Sequence, residues 1–469
     1  MQKQQVVFVP APGAGHMLSM LEFANRILER DQRISVTVLI MKVPSSGPTP
    51  ITAPNPNIRF IQLPQVDPIE PQLMQKSIEK AVAVFIENHK SVIKQAIIDH
   101  ILSKSIPLAG LVIDLFCSSM VDLAKELGVP SYLFFTSAAT FLGLVLQIPV
   151  HYTRSGREFD VSDPDWVIPA FVNPLPTRVL PYFLFNKDGG YESFKNHGIK
   201  FKETNGIFIN TFLELESHAI KSLQSDIEIP PIYTVGPLLK GQNNSSSPNN
   251  HEKLMKWLDD QPLSSVLFLC FGSMGGLEPP QLAQIAIALE KSGQRFLWSI
   301  RRPPSKDYSE MSGEFVNFSQ VLPKGFLERT ENRGFVCGWA PQVEILAHKA
   351  VGGFVSHCGW NSILESLWNG VPIATWPLGA EQQMNAFYLV KELKLAVELK
   401  IDYRSEYSDK VVVMADEIEK AITSLMDTEN PVRMRVKEMS EISRKAQIDG
   451  GSSFISMGKL IEDVFVNKI

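Results

Sequence analysis

The chain has 469 residues, a net charge of −5 and a pI near 6.0, and 44% of its residues are hydrophobic. A chain of this length is expected to form two or three domains, each with enough apolar residues for a core. The slight acidity argues against nucleic acid or an anionic membrane surface as the main partner.

The cysteine content indicates the compartment. The four cysteines are widely spaced and mostly lie in apolar runs: Cys117, Cys270, Cys337 and Cys358. This spacing predicts reduced core thiols in a cytoplasmic protein, and it does not suit a disulfide framework or a metal site. The apolar run at the N-terminus is too short for a secretory signal peptide.

The stretch Leu127–Thr153 contains no Asp, Glu, Lys or Arg and is long enough to raise the question of a membrane span. Thr136 and Ser137 interrupt it, and their hydroxyls are suited to capping a helix. We therefore predict a buried strand over Tyr132–Phe135 followed by a buried helix, with no stable insertion into a membrane.

The first half of the chain alternates apolar runs with segments of helical spacing, which predicts a β/α domain. A Pro/Gly turn over 11–16 follows the first strand. Strands are predicted at 6–10, 35–41, 57–63, 108–115, 207–211 and 232–235, and helices at 18–29, 70–105 and 118–127.

The stretch 151–201 is irregular in pattern and rich in aromatic residues. Two interpretations stay open for these side chains. They pack as loops onto the core, or they form the wall of a site for a flat, apolar ligand, since ligand sites are mostly apolar with few polar groups.

The polar, Asn/Ser-rich segment 239–252 is predicted to be a linker. The β/α alternation then resumes, with strands predicted at 265–271, 295–300, 334–337, 351–356, 371–377 and 396–399 and helices at 253–258, 279–292, 383–393 and 415–426, before two closing helices. We therefore predict an α/β protein with two Rossmann-like domains facing a cleft, over 1–238 and 253–451.

The 44 residues from Trp339 to Gln382 are the most informative segment. A predicted strand, Val351–Ser356, is followed by a turn and by a helix that begins near Trp360 and is stopped by Gly370. Backbone N–H groups and the helix dipole would converge at the start of that helix, which predicts a phosphate site.

This segment resembles the donor-binding signature of plant family-1 UDP-dependent glycosyltransferases. The positions in family register are Trp339, Pro341, Gln342, His348, Gly353, His357, Cys358, Gly359, Trp360, Asn361, Ser362, Glu365, Gly370, Val371, Pro372, Trp376, Pro377, Glu381 and Gln382. The resemblance extends over essentially the whole chain. It implies a GT-B fold, a UDP-sugar co-substrate, a small-molecule acceptor, no cofactor, no metal, and a C-terminal helix (452–469) packing back on the N-terminal domain.

The resemblance also implies roles for individual donor-site residues. Trp339 stacks on uracil with Ala340 and Gln342 beside it, and Glu365 accepts hydrogen bonds from the ribose. The residues implied to bind the phosphates are Ser273, His357, Trp360, Asn361 and Ser362. Those implied to bind the sugar are Glu381 and Gln382. Gln382 resembles the residue of glucose-using members. Gly15 and Thr136 are also assigned to the UDP-sugar site.

His16 is the candidate general base, because histidine titrates near neutral pH. A lone histidine is more often a core or capping residue, but the resemblance places the catalytic base at this position. It also places at Asp114 the carboxylate that orients such a base. The alternative for Asp114 is a cap on the following helix.

Some features depart from the family or suggest other functions. Ser19 stands where many members have proline, and Ser356 replaces a common threonine. His251-Glu252 lacks a second histidine at a metal-binding spacing. A dinucleotide-dependent oxidoreductase is disfavoured because Leu18 occupies the place of the third glycine. A non-catalytic nucleotide-sugar-binding protein remains an alternative, and a monomer is expected.

Overall fold

The computed structural model describes residues 4–42, 55–104, 107–239, 248–305, 312–405 and 411–466. The strands, in chain order, are β1 Gln4–Val9, β2 Ile34–Ile40, β3 Ile58–Gln62, β4 Leu108–Asp114, β5 Ser131–Phe135, β6 Ile207–Ile209, β7 Ile232–Thr234, β8 Val266–Cys270, β9 Arg295–Ser299, β10 Arg301–Arg302, β11 Gly313–Glu314, β12 Gly334–Cys337, β13 Val351–Ser356, β14 Ile373–Thr375 and β15 Ala396–Glu398.

The α-helices are α1 Ala14–Arg30, α2 Pro71–Lys76, α3 Ile78–His100, α4 Met120–Glu126, α5 Ala139–Ser155, α6 Gly190–Lys202, α7 Ser217–Ser225, α8 Pro248–Asp259, α9 Pro279–Ser292, α10 Phe326–Thr330, α11 Gln342–Ala347, α12 Trp360–Trp368, α13 Gln382–Phe387, α14 Ala415–Met426, α15 Pro431–Gln447 and α16 Ser452–Leu460. A π-helical turn, Ile461–Val466, follows α16.

The chain divides into two units, each built on a parallel sheet. The first unit takes in 1–174, 183–241 and 445–469, and its seven strands run in the order β3-β2-β1-β4-β5-β6-β7. Its central strands are buried along almost their whole length, as in parallel sheets covered by helices on both faces. Side chains from α16 and the turn after it, including Leu460 and Phe465, belong to this core.

The second unit takes in 175–182 and 242–444. Its six parallel strands run in the order β12-β9-β8-β13-β14-β15, and β10 pairs with β11 as a separate antiparallel ribbon. Trp298 and Trp376 are fully buried in its core, which α9 and α14 help to form. Both units are therefore Rossmann-like, as the sequence predicts.

The predicted turn over 11–16 is too long. Helix α1 already begins at Ala14, so Gly15 and His16 lie in its first turn. The change of direction is made at Gly13, whose φ of +135° is accessible mainly to glycine.

The buried strand and buried helix predicted within Leu127–Thr153 are confirmed, since β5 and α5 are largely buried. The N-cap residue of α5 is Ala138, which makes no side-chain cap, rather than Thr136 or Ser137. None of the helices in the described ranges is long and apolar enough to cross a membrane.

Two predicted loops are shorter than expected. Helix α5 continues to Ser155 and α6 begins at Gly190, so only 156–189 lacks long helices within the aromatic stretch. Helix α8 begins at Pro248, inside the predicted linker, and the rest of that linker from residue 240 to 247 lies outside the described residues. Residues 400–410 are charged and are predicted to form a solvated loop with no assigned role; of these, 406–410 also lie outside the described residues.

A glycine allows α5 and α6 to approach closely. Pro149 in α5 has no N–H to offer the Val145 carbonyl, and a Cβ on Gly198 would lie 2.4 Å from that oxygen. We expect Gly198→Ala to destabilise the protein by about 1–3 kcal/mol through overpacking. Urea unfolding measures this change.

Gly458→Ala is the matched control for this prediction. Gly458 lies in α16, and an added Cβ would meet nothing within 4 Å. This substitution should leave stability unchanged or raise it by about 0.4–1 kcal/mol. Equal effects of the two substitutions would contradict the close-packing argument.

Candidate functional site

His16 and Asp114 come together at the carboxyl edge of the first sheet. Strands β1 and β4 are parallel neighbours, with Val9 paired to Ile113, so the residues after both strands meet at this edge. His16 Nδ1 lies 2.9 Å from Asp114 Oδ2. The aspartate side chain is fully buried, whereas the histidine side chain is 27% exposed. This is the geometry of an oriented base that solvent and ligands can reach.

The two oxygens of Asp114 have different partners, and the helix α4 that it was predicted to cap has Ser119 as its N-cap residue instead. Oδ2 contacts His16, and Oδ1 accepts a hydrogen bond of 3.1 Å from the Phe116 backbone N–H. The second contact caps the 3₁₀ turn Leu115–Cys117. The cap fixes the carboxylate, and the fixed carboxylate in turn orients the imidazole.

Thr136 follows β5, the next strand of the same sheet. Its Oγ1 lies 3.2 Å from His16 Nδ1. The structure thus places Thr136 against the candidate base, and its predicted contact with the sugar stays a prediction. Gly15 precedes His16 in the first turn of α1.

Phe116 is a residue that the sequence reasoning missed. It is half-buried, and its ring centroid lies 5.2 Å from that of His16. An aromatic cluster continues from it through Phe194, Phe183 and Phe141, and the Phe183 and Phe194 rings are stacked at 3.6 Å. The sequence signal that could have identified Phe116 is its position, because it is an aromatic residue two positions after an aspartate at the end of a predicted strand.

The other aromatic residues of 151–201 mostly pack on one another. Phe159, Phe171 and Tyr191 are buried, and Phe159 stacks on His151 at 3.8 Å. The packing interpretation therefore holds for them. Tyr152 is exposed, with the Lys195 ammonium over its ring.

A second histidine of the first unit lies in the core. His197 Nδ1 is 2.7 Å from Ser118 Oγ, and burial lowers the pKa of His197 to about 4. An unfolded histidine has a pKa of about 6.5, so the unfolded state takes up this proton first. The stability contributed by neutral His197 is consequently lost as the pH falls from about 6.5 towards 4.

We therefore expect the free energy of unfolding to fall by about 2 kcal/mol more in the wild type than in His197→Gln between about pH 7 and pH 5. Urea unfolding of both proteins at the two pH values measures this difference. Parallel pH dependence of the two proteins would show that His197 titrates normally.

The candidate donor residues occupy the carboxyl edge of the second sheet. The segments after β8, β12, β13 and β14 all leave this edge, because the four strands are parallel. Gln342 opens α11, and its Nε2 donates to Ser362 Oγ at 2.8 Å and to Glu365 Oε2 at 2.6 Å. Three residues predicted from the sequence thus form one cluster, and Glu365 is only 2% exposed.

His357 lies in the turn between β13 and α12, tightly packed between two glycines. A Cβ on Gly272 would lie 2.7 Å from His357 Nε2, and one on Gly359 only 2.5 Å away. Glycine at both positions therefore makes room for the imidazole. Ser273, next to Gly272, is exposed.

Helix α12 begins directly after this turn. Trp360 is buried at its first position, and Asn361 beside it is half-buried. Cys358 precedes them with a φ of +62°, and the Asn385 side chain donates to its carbonyl at 3.0 Å. The turn is thus held in one conformation.

The remaining predicted residues follow β12 and β14 at the same edge of the sheet. Trp339 is half-buried, and its backbone N–H donates to Glu314 Oε1 at 2.9 Å, while Ala340 is buried. Glu381 is the N-cap of α13. The Gln382 amide oxygen accepts from the backbone N–H groups of residues 378 and 379, so this oxygen is turned towards the chain.

Across the described ranges, no group of three His, Cys, Asp or Glu residues has a geometry that would hold a metal ion. The four cysteines are free thiols, of which Cys337 is half-buried and the others are buried. Burial raises the pKa of Cys358 to about 12, which keeps this thiol protonated beside the donor residues.

The chain is similar to known proteins over nearly its whole length. A family model described as UDP-glucoronosyl and UDP-glucosyl transferase matches residues 239–428. The chain is 50% identical to UDP-glycosyltransferase 71K1 of Malus domestica, with 99% of each chain covered. It is 48% identical to UDP-glucose flavonoid 3-O-glucosyltransferase 6 of Fragaria ananassa, with 98% of each covered.

Among solved structures, the chain resembles Medicago truncatula UGT71G1 complexed with UDP-glucose. The TM-score is 0.89 at 45% sequence identity, with 98% of both chains covered. This likeness and the two parallel sheets identify the fold as GT-B, as predicted from the sequence.

Proposed function

Since the chain belongs to the plant UDP-glycosyltransferase family and is a UDP-glycosyltransferase, we propose that it transfers glucose from UDP-glucose to a hydroxyl of a small lipophilic plant metabolite. The contact between His16 Nδ1 and Asp114 Oδ2 carries the catalytic part of this proposal. An ionised carboxylate only accepts hydrogen bonds, so Nδ1 holds the proton in this contact and the lone pair resides on Nε2.

In the proposed reaction, His16 Nε2 takes the proton of the acceptor hydroxyl. The oxygen attacks the anomeric carbon from the face opposite to UDP, the new C–O bond forms, and the bond to the phosphate oxygen breaks with its electron pair on UDP. Asp114 stabilises the imidazolium that results. A single displacement converts an α-linked donor into a β-linked product.

For the donor, we assign the uracil to Trp339, with Ala340 and Gln342 at its border. The ribose hydroxyls donate to Glu365, whose position is fixed by Gln342. The leaving diphosphate carries most of the developing charge, and the start of α12 offers it N–H groups and a helix dipole. The phosphate contacts are assigned to Ser273, His357, Trp360, Asn361 and Ser362.

The sugar contacts are assigned to Glu381 and Gln382. Since the Gln382 oxygen is used within the chain, the amide NH₂ is the group that would donate to a sugar hydroxyl. Glucose is supported by Gln382 and by relatives named for UDP-glucose. Gly15 and Thr136 complete the proposed UDP-sugar site.

The acceptor proposed is a flavonoid or another phenolic compound. The half-buried Phe116 ring beside His16 supports a flat aromatic ligand, and one relative is named as a flavonoid glucosyltransferase. A terpenoid or lignan acceptor is the alternative with the same chemistry. A monomeric state and a cytoplasmic location remain part of the proposal.

The test is release of UDP from UDP-glucose by the purified protein, with a panel of flavonoids, simple phenols, lignans and terpenoid alcohols. Release that depends on an acceptor supports the proposal, and the panel identifies the acceptor class. NMR of the product establishes the anomeric configuration, and an α-glucoside would rule out single displacement. UDP-glucose binding without turnover on any acceptor would favour a non-catalytic sugar-nucleotide-binding protein.

A further inference from the structure

Glu216 is a fully buried carboxylate in the first unit that the proposed reaction does not use. It follows β6 and serves as the N-cap residue of α7. Glu216 forms no ion pair with any of the described residues, and burial raises the pKa of its carboxyl. A buried acidic group is costly unless hydrogen bonds compensate it, so its partners indicate its role.

The backbone partners of Glu216 are at the start of α5, about 76 residues earlier in the chain. Oε2 accepts a hydrogen bond of 2.9 Å from the Ala139 N–H, and Oε1 accepts one of 3.1 Å from the Thr140 N–H. Thr140 Oγ1 lies 3.3 Å from the same Oε1. Glu216 thus satisfies N–H groups in the first turn of a helix whose own N-cap residue, Ala138, makes no side-chain cap.

The turn that Glu216 fixes carries Thr136. Only Ser137 and Ala138 separate Thr136 from the first helical residue, Ala139. The Thr136 hydroxyl lies within hydrogen-bond distance of His16 Nδ1, at 3.2 Å. A shift in the start of α5 would therefore move this hydroxyl relative to the base.

We infer that Glu216 is a positioning residue for the transfer reaction, which holds the Thr136 hydroxyl against His16 by anchoring the start of α5. The inference rests on the proposed role of His16 as the base. A carboxylate suits this task because it offers an acceptor oxygen to each of two neighbouring N–H groups. A glutamine of the same shape has one acceptor oxygen and would leave one of them unpaired.

A double-mutant cycle on kcat tests the inference, with Glu216→Gln, Thr136→Ala and the combined variant. Each single substitution should lower kcat by about tenfold, well short of the roughly 10²–10⁴-fold cost of losing a base. The combined variant should be no slower than either, because both act through one hydroxyl. The KM for UDP-glucose should change to the same extent in Glu216→Gln and in Thr136→Ala, because both substitutions displace the same hydroxyl.

Ser77→Ala is the control for a purely structural effect. Ser77 Oγ accepts from the Lys80 N–H and caps α3 in the same unit. This substitution should lower the unfolding midpoint without lowering kcat. If Glu216→Gln does not fold, Glu216→Asp replaces it in the cycle, since it keeps the charge but retracts the carboxylate by one methylene.

Losses that multiply in the combined variant would overturn the inference, because Glu216 would then act independently of Thr136. An unchanged kcat in Thr136→Ala, or in a folded Glu216 variant, would overturn it as well. His16→Ala is measured alongside. Full turnover in that variant contradicts the proposed function itself, whatever the cycle gives.

Discussion

His16→Ala is expected to lower kcat for acceptor-dependent UDP release by roughly 10²–10⁴-fold, the usual contribution of a positioned general base. Alanine cannot accept the hydroxyl proton, so the acceptor must attack as a neutral alcohol or phenol. Binding of UDP-glucose should change little, because the residues assigned to uracil, ribose and phosphate belong to the second unit. The KM for the donor is therefore expected to stay near the wild-type value.

Asp114→Asn should act in the same direction by a different route. An asparagine has a single amide oxygen, whereas Asp114 accepts from both His16 and the Phe116 N–H. One of these contacts must be lost, and the imidazolium loses its compensating charge. We expect this variant to fall between His16→Ala and the wild type.

Ser19→Ala provides the control on the same helix. Ser19 lies one turn after His16, is buried, and donates to the Gly15 carbonyl at 2.9 Å. Its replacement removes a hydroxyl from α1 without touching the base, so turnover should be retained. A folded His16→Ala protein with wild-type kcat would refute the assignment of His16.

Regular elements were predictable where the pattern was strong and its ends were marked. Helix α9 and strands β12 and β13 have the bounds predicted from the sequence. Pro or Gly marks the ends of α9 and β12, and β13 is a short apolar run followed by a polar turn. The start of α1 was misjudged because Gly13 and Gly15 resemble a longer turn. The change of chain direction before α1 is in fact made at the single residue Gly13.

Contacts between residues that are far apart in the chain could not be predicted from the sequence. The signature segment indicated Gln342, Ser362 and Glu365, but not that the three side chains would share one hydrogen-bonded cluster. His16 and Asp114 are 98 residues apart, and only the parallel pairing of β1 with β4 brings them together. The capping of α5 by Glu216 had no local signal, and Thr136 and Ser137 offered a plausible local alternative.

The second large effect is expected at the donor ribose. Glu365→Gln should raise the KM for UDP-glucose by about 10–100-fold, because a hydrogen bond to a charged group contributes about 1.5–3 kcal/mol. The fold should survive, since the amide oxygen of the new side chain can accept from Gln342 Nε2 as Glu365 Oε2 does. The KM for the acceptor should change far less.

Glu344→Gln is the matched control, because it makes the same charge change on a neighbouring helix. Glu344 lies in α11 and pairs with His251 Nε2 at 2.7 Å, outside the Gln342–Ser362–Glu365 cluster. A partly exposed pair of this kind contributes only about 0–1 kcal/mol. The donor KM should therefore remain at the wild-type value.

Binding of UDP and 2′-deoxy-UDP, measured by calorimetry, makes the assignment specific to the ribose. The wild type should bind UDP more tightly than the deoxy compound, because a ribose hydroxyl donates to the Glu365 carboxylate. In Glu365→Gln this preference should shrink, since the altered protein group and the deleted ligand group belong to one contact and their effects are not additive. If the variant keeps the full preference for UDP over 2′-deoxy-UDP, a residue other than Glu365 binds the ribose hydroxyl.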